Sequence, residues 1–311
     1  IAGRAGLALH ATVSDYHTSG AWNALGVAAL AARVRGLSRA QFREAIGIAE
    51  YHGPRSQMMR EIASPSMLHD GSGWGAMVGI SGAILAEQGF TGAPAITVEA
   101  DEVADIWSDL GTRWIMTDQY VKPYPICRWA HAPIDGVREL MMAHSLTHDD
   151  IGEIRINTFH EGVCLFQGVP ETTATAQYSV SFAVAVQAVH GRIGLEHVSG
   201  AGLRDPQVIG LIDRIKVAES ETHNATFPQG RDADVQITLR DGRVFDSGLV
   251  HARGGSERPM SEADIIAKFE EFAAPVLGDG RTAAIRDAVM GMADGGCGLA
   301  DLRGCLYDPV K

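Results

Sequence analysis

The stretch from residue 73 to 90, "GWGAMVGISGAILAEQGF", constrains this chain more than any other. It is almost entirely small and apolar. Gly73, Gly75, Gly79 and Gly82 would each weaken a helix by up to about 1 kcal/mol relative to alanine. That cost is offset if the glycines let neighbouring helices approach closely. The stretch therefore reads as a buried helix of a bundle, not a surface helix. Its partners lie upstream. "AWNALGVAALAARVRGL" places Trp22, Leu25, Ala29 and Ala32 at 3-4-3 spacing, the period of one helix face, with Gly36 as a C-terminal stop. Ser38 followed by Gln41 is a capping box that opens "RAQFREAIGIAEYH".

The texture changes near residue 118. "APIDGVRELMMAHSL" reads as a helix, and "IGEIRINTF" as a strand alternating Ile151, Glu153, Arg155 and Asn157 with apolar partners. "SVSFAVAVQAVHG" reads as a buried helix, and "ADVQITLRDGRVFDSGLV" as a hairpin turning at Asp241-Gly242. From Ser261 a capped amphipathic helix, "SEADIIAKFEEFAAPVL", and one more helix close the chain. The expected class is α+β, with an all-helical domain over 1–118 and a smaller α+β domain over 119–258. Helices over 259–311 are expected to pack back on the helical domain. No low-complexity segment and no repeat interrupts this order.

The 311 residues suffice for two domains, and 46% hydrophobic with 21% charged residues is globular composition. A net charge of −12 argues against nucleic acid as a general partner, since phosphates need a basic surface, but leaves room for a locally basic pocket. No run of about 18 uncharged apolar residues is present, so no membrane span is expected. Cys127, Cys164, Cys297 and Cys305 form no C-x-x-C pair, which speaks against zinc or iron–sulfur sites. A disulfide scaffold is not expected at this size, and the default compartment is a reducing cytoplasm. The chain begins at Ile1, directly in a helical pattern, and is expected to be truncated, processed or partly observed.

Four stretches could carry chemistry. "SDYHTSGAWNALG" sets His17, Thr18, Ser19 and Gly20 before a helix, whose N-terminal N–H groups favour an anion. A histidine there could bind a carboxylate or move a proton. A plain cap by Thr18 or Ser19 beside a surface histidine accounts for the same residues. "EYHGPRSQMM" places Tyr51, His52 and Arg55 at a Gly-Pro break, where a cleft wall and a solvated loop read alike. "MLHDGSGWGAM" puts His69 and Asp70 before glycines that admit a ligand or merely form a tight turn. "KPYPICRW" carries Lys122, one of four lysines, on a stretch that Pro123 and Pro125 hold extended, with Arg128 and His131 following. A stiff segment bearing lysine and arginine suits a carboxylate clamp; a linker between domains is the rival reading. His190 and His251 show no pattern and are taken as structural.

"YHTSGAWNALGVAALAARVRGL", "DGSGWGAMVGISGAILAEQGFTG" and "KPYPICRWAHAPIDGVREL" together resemble the MmgE/PrpD family, and the similarity runs down to "GSERPMSEADIIAKFEEF". Its members include 2-methylcitrate dehydratase, cis-aconitate decarboxylase and iminodisuccinate epimerase. The resemblance implies a helical domain, an α+β lid and a cleft between them. It also implies cofactor-free and metal-free chemistry on di- and tricarboxylates, in homodimers. On that basis His17 matches the active-site histidine of an "FHPT"-like motif and Lys122 the lysine of "KPYP". His69 falls near a basic residue that precedes the glycine-containing helix. Catalysis is expected from His17, Lys122 and His69, with Thr18, Ser19, Arg55, Asp70 and Arg128 binding substrate. Phe182 stands where decarboxylase members carry an active-site tyrosine. Members also carry a helical region before the "YHT" motif, with an active-site aspartate and histidine that find no counterpart here. A second polypeptide supplying those residues, their loss, or a chain not catalytic by itself are the readings left open.

Overall fold

The structure is a computed structural model and describes residues 1–307. It is mostly helical with one small mixed sheet, and it divides into two compact units, Ile1–Gln119 and a second beginning at Tyr120.

The first unit contains helices α1 (Ala2–Thr12), α2 (Gly20–Val34), α3 (Arg39–His52), α4 (Met58–Ala63), α5 (Ser72–Glu87), α6 (Ile96–Glu99) and α7 (Ala104–Trp107). α5 is the helix of the glycine-rich stretch, and it packs against α2 and α3. A Cβ on Gly79 would lie 2.4 Å from the Ala24 carbonyl oxygen, and one on Gly75 would lie 2.5 Å from that of Gly20. The glycines thus allow backbone-to-backbone contact, and the core between the helices is correspondingly small-grained: Ala24, Ala28, Ala29, Ala45, Ala49, Ala83 and Ala86. Gly73 is the exception, with open space around its Cα. The expectation that α5 is buried holds for one face only. Trp74, Met77, Ile80 and Ile84 are exposed on the other, because residues at this spacing share a stripe opposite the glycines.

Local signals mark the helix ends. Ser38 and Gln41 form the capping box at α3. Gly36 adopts φ +68° after α2, where Leu37 N–H reaches back to the Ala32 carbonyl.

The second unit contains α8 (His131–His144), β1 (Ile151–Thr158), α9 (His160–Val163), α10 (Thr173–Gln177), α11 (Val180–His190), α12 (Pro206–Ile212), β2 (Ile215–Glu219), α13 (Glu221–Asn224), β3 (Ala233–Leu239), β4 (Val244–Val250), α14 (Glu262–Leu277), α15 (Asp279–Ala293) and α16 (Leu299–Tyr307). Strand order is β2-β1-β3-β4, with β1 parallel to β2 and the other pairs antiparallel. α8 covers β3 and β4, and Gly136 lets it sit against Val235. β3 alternates cleanly, with Ala233, Val235, Ile237 and Leu239 buried. β1 does not. A register shift between Ile151 and Glu153 turns Ile151 to the side of Ile154 and Ile156, all three fully buried, so Ile151 leaves the row of Glu153, Arg155 and Asn157.

The sheet is the minor part of this unit, which spans more of the chain than the first. The helices after residue 259, expected to return to the helical domain, are grouped with the second unit, where Lys268 of α14 donates to the Lys122 carbonyl. α14 carries the Ser261–Asp264 capping box, and two helices follow it instead of one. Of the 259–311 segment, residues 308–311 lie outside the described residues.

Candidate active site

In the first unit, residues 16–18 run beside 56–58. His17 bridges Gln57, Thr18 N–H donates to the Ser56 carbonyl at 2.9 Å, and Met58 N–H to that of Tyr16 at 2.7 Å. His17 and Thr18 are buried. The surface-histidine reading therefore fails for His17. Its Nδ1 lies 2.9 Å from the Asp15 carbonyl oxygen. A carbonyl only accepts, so Nδ1 carries a proton, and in the neutral ring Nε2 is the nitrogen with the lone pair. His10 adds a contact with no signal in the sequence pattern: its Nε2 accepts the His17 backbone N–H at 3.4 Å. Its ring stacks on Tyr16 at 4.8 Å.

Ser19 precedes α2 but does not cap it with its side chain. Its hydroxyl donates to the Asp70 carbonyl, and its N–H donates to the Asp70 carboxylate. Gly20 N–H reaches the Asp70 carbonyl at 3.2 Å. The helix start offered to an anion is thus met by the protein's own Asp70, held in the left-handed region at φ 58°. Glu61 fixes Asp70 in turn, accepting its N–H at 2.8 Å, and lies 3.9 Å from the Nδ1 of the exposed His69. Arg55 sits exposed on the loop that feeds the 56–58 bridge. His17, Thr18, Ser19, His69 and Asp70 all belong to this one junction of α2, α5 and the 55–58 segment.

The first unit closes with a 3-10 turn over Ile115–Asp118, and the second opens on irregular backbone that carries Lys122. The "KPYPICRW" segment itself is fastened at many points. Val121 N–H donates to the Gly254 carbonyl at 2.8 Å, Cys127 N–H to that of Gln177 at 2.8 Å, and Gln177 Nε2 to that of Pro125 at 3.2 Å. Tyr124 is buried and donates to Asp135 Oδ1 at 2.6 Å. Arg253 closes the group, with Nε 3.0 Å from Asp135 and Nη2 2.8 Å from the Tyr124 hydroxyl. Burial and the Asp135 carboxylate push the Tyr124 phenol up.

Three cations surround this scaffold. Lys122 is exposed, and Lys268 is drawn below its ordinary value by burial and by Lys122. Arg128 lies flat over Tyr120, 3.9 Å from the ring centroid. Burial first, with Arg231 adding to it, lowers the Arg128 guanidinium. Its Nη1 is enclosed and has no hydrogen-bond partner. His131 is wholly buried between Tyr120, whose hydroxyl lies 2.6 Å from Nδ1, and the Ile126 carbonyl, 3.0 Å from Nε2. Burial holds it well below the usual imidazole range, and Lys122, Arg128 and Lys268 all add to that shift. The three positive groups therefore act on one place. Lys122 and Arg128 were readable from the segment; Lys268 and Arg253 were not, because they arrive from far along the chain. Phe182 is fully buried in α11.

Among the described residues, no group of three or more His, Cys, Asp and Glu side chains could hold a metal ion. No described helix is long and apolar enough to cross a membrane.

Residues 1–111 match the MmgE/PrpD N-terminal domain, and residues 124–293 the MmgE/PrpD C-terminal domain. A cis-aconitate decarboxylase of Aspergillus terreus is 24% identical over 218 residues, 67% of this chain and 44% of that protein. A cis-aconitate decarboxylase of Mus musculus is 22% identical over 278 residues, 84% of this chain and 56% of the relative. A mitochondrial 2-methylcitrate dehydratase of Yarrowia lipolytica is 25% identical over 138 residues, 42% and 26% respectively. The chain spans about half the length of the curated relatives it matches over most of its own. With both domains of one family matched in order, the chain belongs to the MmgE/PrpD family.

Proposed function

We propose that this chain carries the carboxylate-binding and proton-handling parts of a lyase that acts on a tricarboxylate without a cofactor, by dehydration of a 2-methylcitrate-type acid. The observation that carries the reading is the enclosed Arg128 Nη1, a donor shielded from water that no protein group satisfies. A buried donor left unpaired costs about 1–3 kcal/mol, and an incoming carboxylate oxygen would remove that cost. Lys122 and Lys268 stand in the same electropositive region.

Removing a proton from carbon beside a carboxylate leaves a carbanion that is unstable in water. Fixed positive groups aimed at that carboxylate stabilise the developing charge without reorganising. Lys122 and Arg128 take that role. His17, with its Nε2 lone pair kept available by the Asp15 carbonyl, takes the proton. Thr18, Ser19, Asp70 and Arg55 are the substrate-binding groups of this proposal, and His69 is the second proton carrier, protonating the hydroxyl so that it departs as water. A homodimer is the proposed assembly.

Decarboxylation of cis-aconitate is the second reading, favoured by the names of the Aspergillus and mouse relatives. Phe182 counts against it, since a buried phenyl ring has no hydroxyl to offer.

Incubation of the purified protein with 2-methylcitrate, cis-aconitate and iminodisuccinate, followed by proton NMR, separates the readings. Formation of the unsaturated acid from 2-methylcitrate is the expected result. Release of carbon dioxide from cis-aconitate would replace it with the decarboxylase reading, and exchange without net loss with an epimerase. Binding without turnover would assign a carboxylate-binding subunit. Lys122→Ala is expected to lower the rate about a hundredfold or more, the usual loss when one charge-stabilising donor is removed.

A further inference from the structure

His160, Cys164 and Glu219 form a cluster that the tricarboxylate reading leaves unused. β1 ends at Thr158 and the chain turns at once into α9, so Cys164 follows His160 by one helical turn. β2 runs parallel to β1 and ends at Glu219, the register partner of Thr158, which delivers its carboxylate beside the imidazole. His160 Nδ1 lies 2.9 Å from Glu219 Oε2, and Cys164 Sγ lies 3.6 Å from His160 Nε2. Asn224 locks the arrangement: its Nδ2 donates to Glu219 Oε1 at 2.7 Å, and its Oδ1 accepts the His160 backbone N–H at 2.7 Å.

A carboxylate only accepts, so Nδ1 carries the proton and the Nε2 lone pair faces the thiol. Cys164 is exposed, whereas Cys127, Cys297 and Cys305 are partly buried. The charged groups that bear on Cys164 are His160, Glu161 and Glu219; burial first, then the two carboxylates, push its thiol up. Glu219 raises His160, with Glu161 adding to it. The contact of 3.6 Å places an imidazole nitrogen where it can take the thiol proton as the sulfur attacks.

We propose that Cys164 is a modification site for exchange with small-molecule disulfides, with His160 as its base and Glu219 as the group that positions His160. As Sγ attacks one sulfur of RS–SR, its proton passes to His160 Nε2. The S–S bond breaks, a Cys164 S–SR bond forms, and the departing thiolate takes the proton and leaves as RSH. One disulfide is lost and one gained, with no net oxidation. The proposal does not depend on what the protein turns over.

The test uses the intact protein and 2-hydroxyethyl disulfide, an uncharged probe that Glu161 and Glu219 do not repel. Peptide mass mapping gives the rate at each cysteine across pH 6 to 10, roughly the span between imidazole and free-thiol titration. Cys164 is expected to react about tenfold faster than the other three near pH 7, with a rate that rises through the imidazole range rather than near the free-thiol value of about 8.5. His160→Gln is expected to cut that rate about tenfold or more and leave only the higher thiol inflection. Glu219→Gln is expected to move the imidazole inflection to lower pH, since Glu219 is what raises it. A Cys164 rate no greater than that of an unfolded peptide of the same sequence would overturn the proposal. So would a His160→Gln protein, folded by circular dichroism, with an unchanged rate and pH profile.

Discussion

Arg128 and Asp135 show two ways in which one buried charge can be handled. Asp135 is fully buried, and both of its carboxylate oxygens are met, Oδ1 by the Tyr124 hydroxyl and Arg253 Nε, and Oδ2 by the Arg253 backbone N–H. Removing one partner of such a group leaves an uncompensated charge, so Asp135→Ala is expected to destabilise the protein by about 3–5 kcal/mol in urea unfolding. Arg128 is the opposite case, with one edge enclosed and unanswered. Arg128→Ala should therefore cost far less stability than Asp135→Ala while weakening tricarboxylate binding. His131 adds a pH dependence. Its folded imidazole is held well below the ordinary value, so in the window between the folded and unfolded values the unfolded chain binds more protons. Stability is expected to fall as pH drops below about 6.5, and His131→Gln to flatten that slope in unfolding measurements from pH 5 to 7. At this scale the sequence showed which residues were stiffly presented, because proline acts on its neighbour alone. It did not show His10, Arg253 or Lys268. Lys268 meets Lys122 across 146 residues, and no local pattern encodes such a meeting.

The glycines of α5 divide into two kinds, and substitution separates them. Gly79→Ala gains helix propensity of up to about 1 kcal/mol but drives a methyl group against the Ala24 carbonyl. Overpacking of this kind costs about 1–3 kcal/mol, so a net loss is expected. Gly73→Ala meets open space and is expected to stabilise by up to about 1 kcal/mol, both read from thermal or urea unfolding. Equal effects at the two positions would mean that backbone contact is not what these glycines provide. Capped and stopped helices were legible because their signals lie within four residues of the end, as at Ser38, Gly36 and Ser261. The bulge in β1 was not, since it depends on how Ile151 and Glu153 meet β3. The outward face of α5 was also hidden, because a helix apolar on all sides gives no sign of which side is covered.

The molecule as a whole is acidic, at −12, yet it gathers Lys122, Arg128 and Lys268 around one segment. On the proposed function, the net charge would oppose long-range attraction of a tricarboxylate, and binding would rest on these few close cations. Family membership was legible because three motifs of the family stand in order along the chain. The measurement that bears most directly on the account is calorimetric titration with propane-1,2,3-tricarboxylate, which has no hydroxyl to lose. Saturable binding is expected, with Kd raised about tenfold or more by Lys122→Ala and by Arg128→Ala, since a charge-assisted contact contributes about 1.5–3 kcal/mol. Absence of saturable binding to the unmodified protein, or equal affinity in all three proteins, would contradict it.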